Sequence, residues 1–450
     1  MFHFHHHDQR QSSLTVSARH SWLLILVVGM MIPLNGFANP FHIGRFGGIV
    51  DSGATSRSPF SIYWNPAGLT DVGFTLQLHG MLVNRKATYD RDAELNEVPS
   101  ELEGINSGVG KAGTLGAVPG LALQSGHDLG NWSIGLGIAG FVERAGRTNW
   151  KKNFAASQAY PGAVDGPQRW AVINTELTML SLGVGLAVEH VESALSFGAT
   201  IFGTQTTLSL LRARTVNSSD DVTLEGYLAE GRVLFEDGED QGFTLILGTQ
   251  WQPTSNFKLG LAWQSAVSYT IKGDAYILFG EAEETQEPAQ STLDVPQSIR
   301  SEISVTLSPL ITLRPSLSWH QWSIAKSQTA VGTRTGEILF RTPRDFNDTY
   351  EFKLNTDLQV TDIHALHIML GIENGATPKE TFEPGLAEST NARFGGGWTA
   401  HWSETLKTHI AFVWQAFADV TVTDSQQMPL TNGRYTDHRQ FLTVDMEIAL

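Results

Sequence analysis

Cysteine is absent from the 450 residues of this chain, which excludes a disulfide framework and thiol chemistry. Charge is also scarce, since only 17% of the residues are charged and 30 basic residues are outnumbered by 46 acidic ones. The net charge of −16 leaves no basic face to neutralise phosphates, so nucleic acid is excluded as a partner. No stretch after residue 38 is apolar over the 18 or so residues that a membrane-spanning helix needs.

The beginning of the chain has the pattern of a secretory signal. Arg10 and Arg19 give a basic start, an apolar run follows over 22–34, and 36–38 is a small-x-small cleavage site. The apolar run is too short to span a membrane comfortably. Residues 1–38 are therefore predicted to be a signal peptide, and Asn39 is predicted to begin the mature chain.

Alternation of apolar and polar residues dominates the chain from Gly73 onward. Such strands suit either a soluble sandwich or an outer-membrane barrel. Their length, the uncharged apolar face and the Tyr and Trp residues near strand ends favour the barrel. The predicted fold is an all-β, transmembrane antiparallel barrel over residues 73–450 with about fourteen strands. These strands are placed at 73–84, 113–126, 131–142, 175–190, 193–214, 241–253, 256–279, 290–308, 311–325, 348–361, 364–375, 390–402, 405–422 and 438–450.

The connections divide into tight turns and long polar stretches, and the long ones are predicted to be extracellular loops. The long stretches include 144–174, 215–240 and 326–347. One residue conflicts with the strand pattern. Pro315 lies inside the alternation at 311–325, and because a closed barrel has no free edge to hide a missing N–H, we expect a bulge there.

The segment from Phe41 to Leu69 is rich in Gly, Ser and aromatic residues and has neither a strand nor a helix period. Residues 39–72 are therefore predicted to form a plug inside the barrel. Two roles remain open for the aromatic residues of the plug and for the apolar residues that alternate into the lumen: they line a ligand pocket, or they only wedge the plug in place. The candidates are Phe41, Phe46, Phe60, Tyr63, Trp64, Phe202, Val413 and Phe417.

The glycines of the third predicted strand match the dinucleotide fingerprint GxGxxG at 135–140, but no βαβ unit surrounds them. Alternation directs Gly135 and Gly137 into the lumen, where they would make room for the plug or for a lateral gap. No catalytic motif and no plausible metal spacing is present, so neither an enzyme nor a cofactor is predicted. The histidines at 3, 5, 6 and 7 lie in the predicted leader, and no metal site is predicted from them.

Several segments in register resemble the FadL-like family of outer-membrane transporters for long-chain fatty acids and hydrocarbons. They are Asn65-Pro66-Ala67, residues 260–277, residues 295–300, Leu317-Ser318-Trp319, Trp322-Ser323, residues 346–350 and the stretch from Glu373 to Phe394. The resemblance implies a fourteen-stranded barrel, an N-terminal hatch and a hydrophobic ligand captured from outside. It also implies lateral exit through a gap at a kinked third strand, for which Gly135, Gly137, Gly140 and Phe141 are the candidates.

A fatty-acid cargo would need a cation in the lumen, because an unpaired buried carboxylate costs several kcal/mol. The inward faces offer Lys258, Lys272 and Arg314 as carboxylate partners. The leading hypothesis is uptake of hydrophobic small molecules by a monomer that contacts only its ligand and the lipid of the Gram-negative outer membrane. The alternatives are a non-transporting barrel that acts as a scaffold or adhesin for surface proteins, and a general porin.

Overall fold

The computed structural model describes residues 47–98, 100–154, 161–215, 220, 230–279, 282–386 and 388–450. The predicted signal peptide, Phe41 and Phe46 lie outside these residues. The described residues form nineteen strands. They are β1 (Gly73–Arg91), β2 (Gly108–Asp128), β3 (Trp132–Asn149), β4 (Asn174–His190), β5 (Leu195–Thr215), β6 (Glu230–Thr254), β7 (Phe257–Gln264), β8 (Val267–Phe279), β9 (Thr285–Val295), β10 (Ser298–Ser308), β11 (Ile311–His320), β12 (Ser327–Gly332), β13 (Ile338–Pro343), β14 (Thr349–Gln359), β15 (His364–Glu373), β16 (Asn391–His401), β17 (Leu406–Phe417), β18 (Val420–Val422) and β19 (Gly433–Ala449).

These strands make one closed antiparallel barrel, because β1 pairs with both β2 and β19. Five walls of the barrel consist of two strands that follow each other along the chain: β7 with β8, β9 with β10, β11 with β12, β13 with β14, and β17 with β18. Each of these pairs fills a single position in the barrel, so the nineteen strands occupy fourteen strand positions. Each strand position is called a wall below. The prediction of a barrel with about fourteen strands is confirmed.

The two faces of the wall follow the alternation in the sequence. On β4, Leu182 and Val184 are exposed on the outside, whereas Met179, Ser181 and Ala187 are buried inside. The outer face is apolar because it must contact lipid, and the inner face carries small and polar residues. A sheet in lipid must also close on itself, because its backbone groups have no water to bond.

The walls formed by β7 to β14 are interrupted at a common height. The breaks fall at 265–266, 296–297, 321–326 and 344–348. Side chains connect the first three breaks with one another, since Trp263 Nε1 donates to Gln297 Oε1 at 3.0 Å and Gln297 Nε2 donates to Gln321 Oε1 at 2.7 Å. Above these breaks, β8, β9, β12 and β13 continue the sheet.

The break between β7 and β8 inverts the alternation, and this corrects one prediction. Lys258 and Gly260 on β7 face the lumen, as expected. After the break, Tyr269 and Ile271 are the buried residues, and Lys272 is exposed on the outer face. The prediction of Lys272 as a lumen cation is therefore wrong, because the chain leaves the ladder at 265–266 and β8 begins one residue out of phase with β7.

Two smaller expectations also change. No bulge is present at Pro315, because β10 and β11 keep one register from Ser298 to Thr306. Only the strand pairing with β10 at Pro315 itself and at the adjacent Arg314 is missing. The predicted loop 326–347 contains the hairpin of β12 and β13, and β1, β3 and β6 extend well into predicted loops. These strand ends are more polar than the membrane-facing parts, and that polarity is why they resemble loops in the sequence.

Residues 47–71 lie inside the barrel. This N-terminal segment contains one short helix, α1 (Ser61–Trp64), and a 3₁₀ turn (Pro66–Thr70), and nearly all of its residues are buried. It contacts inward-facing residues from β1 and β2 round to β11 and β14, which only a location in the lumen allows. In the part of the chain that the structure describes, no helix is long and apolar enough to span a membrane.

Candidate functional site

Inward-facing glycines of the wall form a seat for the N-terminal segment. A Cβ on Gly135 of β3 would lie 1.8 Å from the Leu69 carbonyl oxygen, and one on Gly198 of β5 would lie 2.3 Å from the Pro66 carbonyl carbon. Contacts below 3.0 Å cannot be tolerated, so these positions require glycine for close approach rather than for an unusual φ. Further positions of the same kind are Gly126, Gly248 and Gly260.

The Asn65-Pro66-Ala67 motif is fixed by the asparagine side chain. Asn65 Nδ2 donates to the carbonyl oxygens of Ala54 at 2.7 Å and Thr249 at 2.9 Å. Its Oδ1 accepts the Ala67 N–H at 3.2 Å and caps the turn that follows. The motif therefore connects the N-terminal segment to itself and to the wall strand β6.

Wall cations bind the backbone of the N-terminal segment. Arg314 donates to the carbonyl oxygens of Ile49 and Val50, at 3.3 and 2.5 Å, and pairs with Asp357. Lys258 Nζ lies 3.4 Å from the Thr55 carbonyl oxygen. The structure thus brings both candidate carboxylate partners to the N-terminal segment, where their donors are already engaged. A cargo carboxylate would have to compete with these bonds, and the role of Lys258 and Arg314 as its partners stays a prediction.

The predicted aromatic candidates pack against each other between α1 and the wall. The Tyr63 ring lies 5.4 Å from that of Phe141 and 6.3 Å from that of Phe202, and Phe60 lies 6.4 Å from Phe141. All four are almost fully buried in one core. Val413 belongs to the same core. In these positions the rings fill the space between segment and wall, as a wedge does.

Two further candidates lie apart from that core. Phe417 is covered by the Arg439 guanidinium, 4.3 Å from its ring centroid. Trp64 is half-buried and lines a large cavity of the described barrel, whose empty space, open solvent included, is about 1140 Å³. Of the described aromatic candidates, only Trp64 borders this space.

Two arginines that sequence reasoning did not select face the 1140 Å³ cavity. Arg300 on β10 lies over the rings of Tyr63 and Trp64, at 5.0 and 5.5 Å from their centroids. Arg144 on β3 lies 5.8 Å from the centroid of the Trp322 ring. The Arg144 Nε and Nη1 atoms are buried and make no hydrogen bond to any described residue, and the Glu143 carboxylate lies 3.8 Å from Nε. Such donors are costly to bury, and an anionic oxygen would satisfy them.

A sequence signal for Arg300 was available. It alternates with Ser298 and Glu302, which places it on the inner face of β10. Arg144 had a weaker signal, because it follows a bulge that alternation does not reveal.

The wall next to Arg144 is open. Within the described chain, β2 and β3 pair from Asp128–Ser133 up to Gly120–Phe141 and then separate. They meet again where Thr114 Oγ1 donates to the Arg147 carbonyl oxygen at 2.9 Å. Two features end the ladder: Pro119 has no N–H to donate, and Glu143 is an extra residue in β3 between Val142 and Arg144. The gap therefore lies between residues 115–119 and residues 142–146.

Two of the four candidates for a kink, Gly140 and Phe141, lie at the lower border of this gap. Phe141 is the last paired residue on the inner face, and Gly140 precedes it on the outer face. Gly135 and Gly137 lie further down β3, where they contact the N-terminal segment rather than the gap.

A second cavity of about 670 Å³ lies above the first and is mainly apolar. Gly146 and Thr148 of β3 border it, so both cavities adjoin the strand with the bulge. Its apolar lining includes Val172, Leu177, Leu208, Leu210, Leu293 and Phe340.

Glu388, in the connection between β15 and β16, borders the 1140 Å³ cavity. Burial raises the pKa of Glu388 to about 7, and the Arg439 guanidinium, 3.4 Å away, only partly opposes this. The folded protein therefore holds this proton more tightly than the unfolded chain, in which a glutamate has a pKa of 4.5.

This pKa predicts how stability depends on pH. The contribution of Glu388, about 3 kcal/mol at most, is fully present below pH 4.5 and is lost as the pH rises through 7. We expect Glu388→Gln to reduce the fall in melting temperature between pH 5 and pH 8, measured in detergent. Glu404→Gln changes an exposed carboxyl and is the matched control. An unchanged pH dependence in Glu388→Gln would contradict the prediction.

Comparison with known proteins identifies the family of this chain. Residues 49–446 match the family model described as outer membrane protein transport protein (OMPP1/FadL/TodX). No curated protein matches the chain.

Several solved structures are similar in fold. A FadL homologue from Pseudomonas aeruginosa has 15% identity and a TM-score of 0.73, with 93% of this chain and 99% of that chain covered. The toluene transporter TodX from P. putida has 16% identity and a TM-score of 0.66, covering 89% and 99%. The toluene transporter TbuX from Ralstonia pickettii has 15% identity and a TM-score of 0.62, covering 90% and 99%. At this identity the structures support the fold alone.

Proposed function

Because the chain belongs to the OMPP1/FadL/TodX family of transport proteins and is a β-barrel of the Gram-negative outer membrane, we propose that it takes up a long-chain carboxylate such as a fatty acid. In this proposal, residues 39–72 are a plug that closes the lumen to water. The cargo binds above the plug and leaves sideways into the membrane. The observation that carries the proposal is the gap between β2 and β3 beside a cavity that the N-terminal segment closes from below.

Lateral exit follows from what each route offers to an apolar chain. Downward, Phe60, Tyr63 and Phe202 fill the space between α1 and the wall. Sideways, β2 and β3 do not pair with each other over residues 115–119 and 142–146 of the described structure. Passage into lipid keeps apolar surface away from water, so the sideways route is the favourable one.

The charge of the cavity favours an anionic head group on the cargo. The cavity lining has four cations, Arg144, Arg300, Lys353 and Arg393, and three carboxylates, Glu351, Glu373 and Glu388. Arg393 pairs with Glu351 and Glu373, whereas Nε and Nη1 of Arg144 make no hydrogen bond to the described residues and Nε lies 3.8 Å from the Glu143 carboxylate. The apolar lining of the 670 Å³ cavity suits the hydrocarbon tail. A neutral aromatic hydrocarbon is the second candidate cargo, since that apolar cavity would also accept it and three related structures are toluene or monoaromatic channels.

The head-group proposal predicts a selective loss of affinity. We expect Arg144→Leu to weaken binding of a labelled fatty acid about 10- to 100-fold, because a charged hydrogen bond contributes about 1.5–3 kcal/mol. Binding of a neutral alkylbenzene should stay unchanged. Fluorescence titration of the purified barrel measures both. Arg434→Leu, which removes an exposed outer arginine, is the control.

Equal losses for the acid and the alkylbenzene would contradict carboxylate recognition and leave the neutral hydrocarbon as cargo. Uptake by cells with and without the gene tests transport itself. Equal uptake of both cargoes in both strains would favour the scaffold or adhesin alternative.

A further inference from the structure

Three side chains of types that can ligate a metal meet where the N-terminal segment approaches the end of the barrel at which β1 begins and β19 ends. The strands are joined by tight turns at this end, so it is the periplasmic end. Asp51 comes from the segment, His409 from β17 and Glu447 from β19. One potential ligand atom from each lies within 4.8 Å of the other two. The three residues belong to three separate stretches of chain, so their convergence arises only in the folded barrel.

The His409 ring has the orientation of a metal ligand. Its Nδ1 is hydrogen-bonded to Thr399 Oγ1 at 2.7 Å, which directs the Nε2 atom toward Asp51. His409 is 3% exposed, and its Nε2 makes no hydrogen bond to the described residues; Asp51 Oδ2 is 3.8 Å away. Metal-binding histidines almost always engage their second ring nitrogen in this way.

The surrounding groups leave room for a cation. Gln77 Nε2 donates to Asp51 Oδ2 at 3.2 Å, and Lys407 Nζ donates to Glu447 Oε1 at 2.7 Å. Each carboxylate retains one oxygen that these bonds do not use, and Asp51 Oδ2, which lies 3.8 Å from His409 Nε2, accepts the bond from Gln77. The neighbouring Asp445 bonds His79 at 2.7 Å. Asp51 and Glu447 keep about 15% of their side-chain surface exposed, which gives an ion a path from the periplasmic side.

We propose that Asp51, His409 and Glu447 bind one divalent transition-metal ion, with Zn²⁺ as the preferred ion, and that this ion fastens the N-terminal segment to the wall. Zinc accepts imidazole nitrogens and carboxylate oxygens, and a set of three protein ligands leaves its fourth position open to water. Ligand atoms around a tetrahedral zinc lie about 3.4 Å apart, so closing the site requires side-chain shifts of about 1 Å. The site is independent of the cargo.

Substitution of Lys407 tests the proposal because it should strengthen metal binding, whereas substitution of a ligand should weaken it. The Lys407 ammonium competes with the metal for Glu447, so Lys407→Met should strengthen Zn²⁺ binding several-fold. Glu447→Gln and His409→Ala each remove one ligand and should weaken it at least 100-fold. His127→Ala removes an exposed histidine of β2 and should have no effect.

The experiment uses the purified full barrel in detergent, stripped with a chelator and dialysed against micromolar Zn²⁺. The wild type is expected to retain one equivalent that His409→Ala loses, and Co²⁺ in its place should give a visible ligand-field band. Any ion bound by the histidines at 3, 5, 6 and 7 would persist in His409→Ala and is thereby separated. The proposal is overturned if the folded wild type retains no such equivalent, or if His409→Ala and His127→Ala retain the same amount.

Discussion

Deletion of Glu143 is expected to abolish uptake while the barrel stays folded and still binds its cargo. Glu143 is the extra residue of the β3 bulge, so its removal leaves Val142 paired with Leu180 and Arg144 with Met179. With regular alternation restored, β3 can continue its ladder with β2 and the gap closes. We expect uptake to fall at least tenfold, toward the level of cells without the gene, and cargo affinity to change less than threefold.

A matched variant separates the bulge from the side chain. Glu143→Ala, like the deletion, removes the hydrogen bond from Ser181 and the ion pair with Arg144, but it keeps the residue count of β3, so the gap and the uptake should persist. Transport assays with both variants, together with heat-modifiability on gels to establish folding, decide the matter. Normal uptake by the folded deletion variant would exclude lateral exit through this gap.

Replacement of Gly198 by Leu is expected to open the barrel to ions. A Cβ at this position would lie 2.3–2.5 Å from backbone atoms of Pro66 and Ala67, so the side chain must displace the N-terminal segment. Loss of the segment would leave a polar lumen, and fourteen strands enclose a channel large enough to conduct. We expect the wild type to be nearly closed in planar bilayers and Gly198→Leu to conduct like a porin.

Gly203→Leu is the control, because Gly203 lies on the outer face of the same strand, where only the Phe243 side chain and more distant atoms are near. If both variants have the same small conductance, the N-terminal segment still blocks the lumen in Gly198→Leu, and the prediction is wrong. Large conductance in the wild type would favour the general porin.

Most of the fold could be predicted from the sequence because lipid imposes a strict alternation on every wall. The fourteen predicted strands lie where the fourteen walls are, and β4 (Asn174–His190) was predicted at 175–190. The failures lie where alternation ends. The prediction for Lys272 fails because the alternation shifts by one residue after Gln264, and no sequence pattern marks such a shift.

The candidate site was less predictable, because alternation gives the face of a residue and not its partner. Arg314 and Lys258 do face inward, but their contacts to carbonyl oxygens of the N-terminal segment depend on a segment without any period. The gap had one sequence signal, Pro119 within the β2 alternation, while the bulge at Glu143 left none. Arg144 became a candidate only once that bulge was located.

The breaks at a common height in β7 to β14 divide these walls into two tiers with separate registers. Below the breaks, the lipid-facing pattern of β7, β10, β11 and β14 is fixed by their mutual pairing. Above them, β8, β9, β12 and β13 pair among themselves. A residue gained or lost in the upper tier therefore leaves every side chain of the lower tier on its own face, so the outer rim can diversify in evolution while the membrane-embedded part remains unchanged.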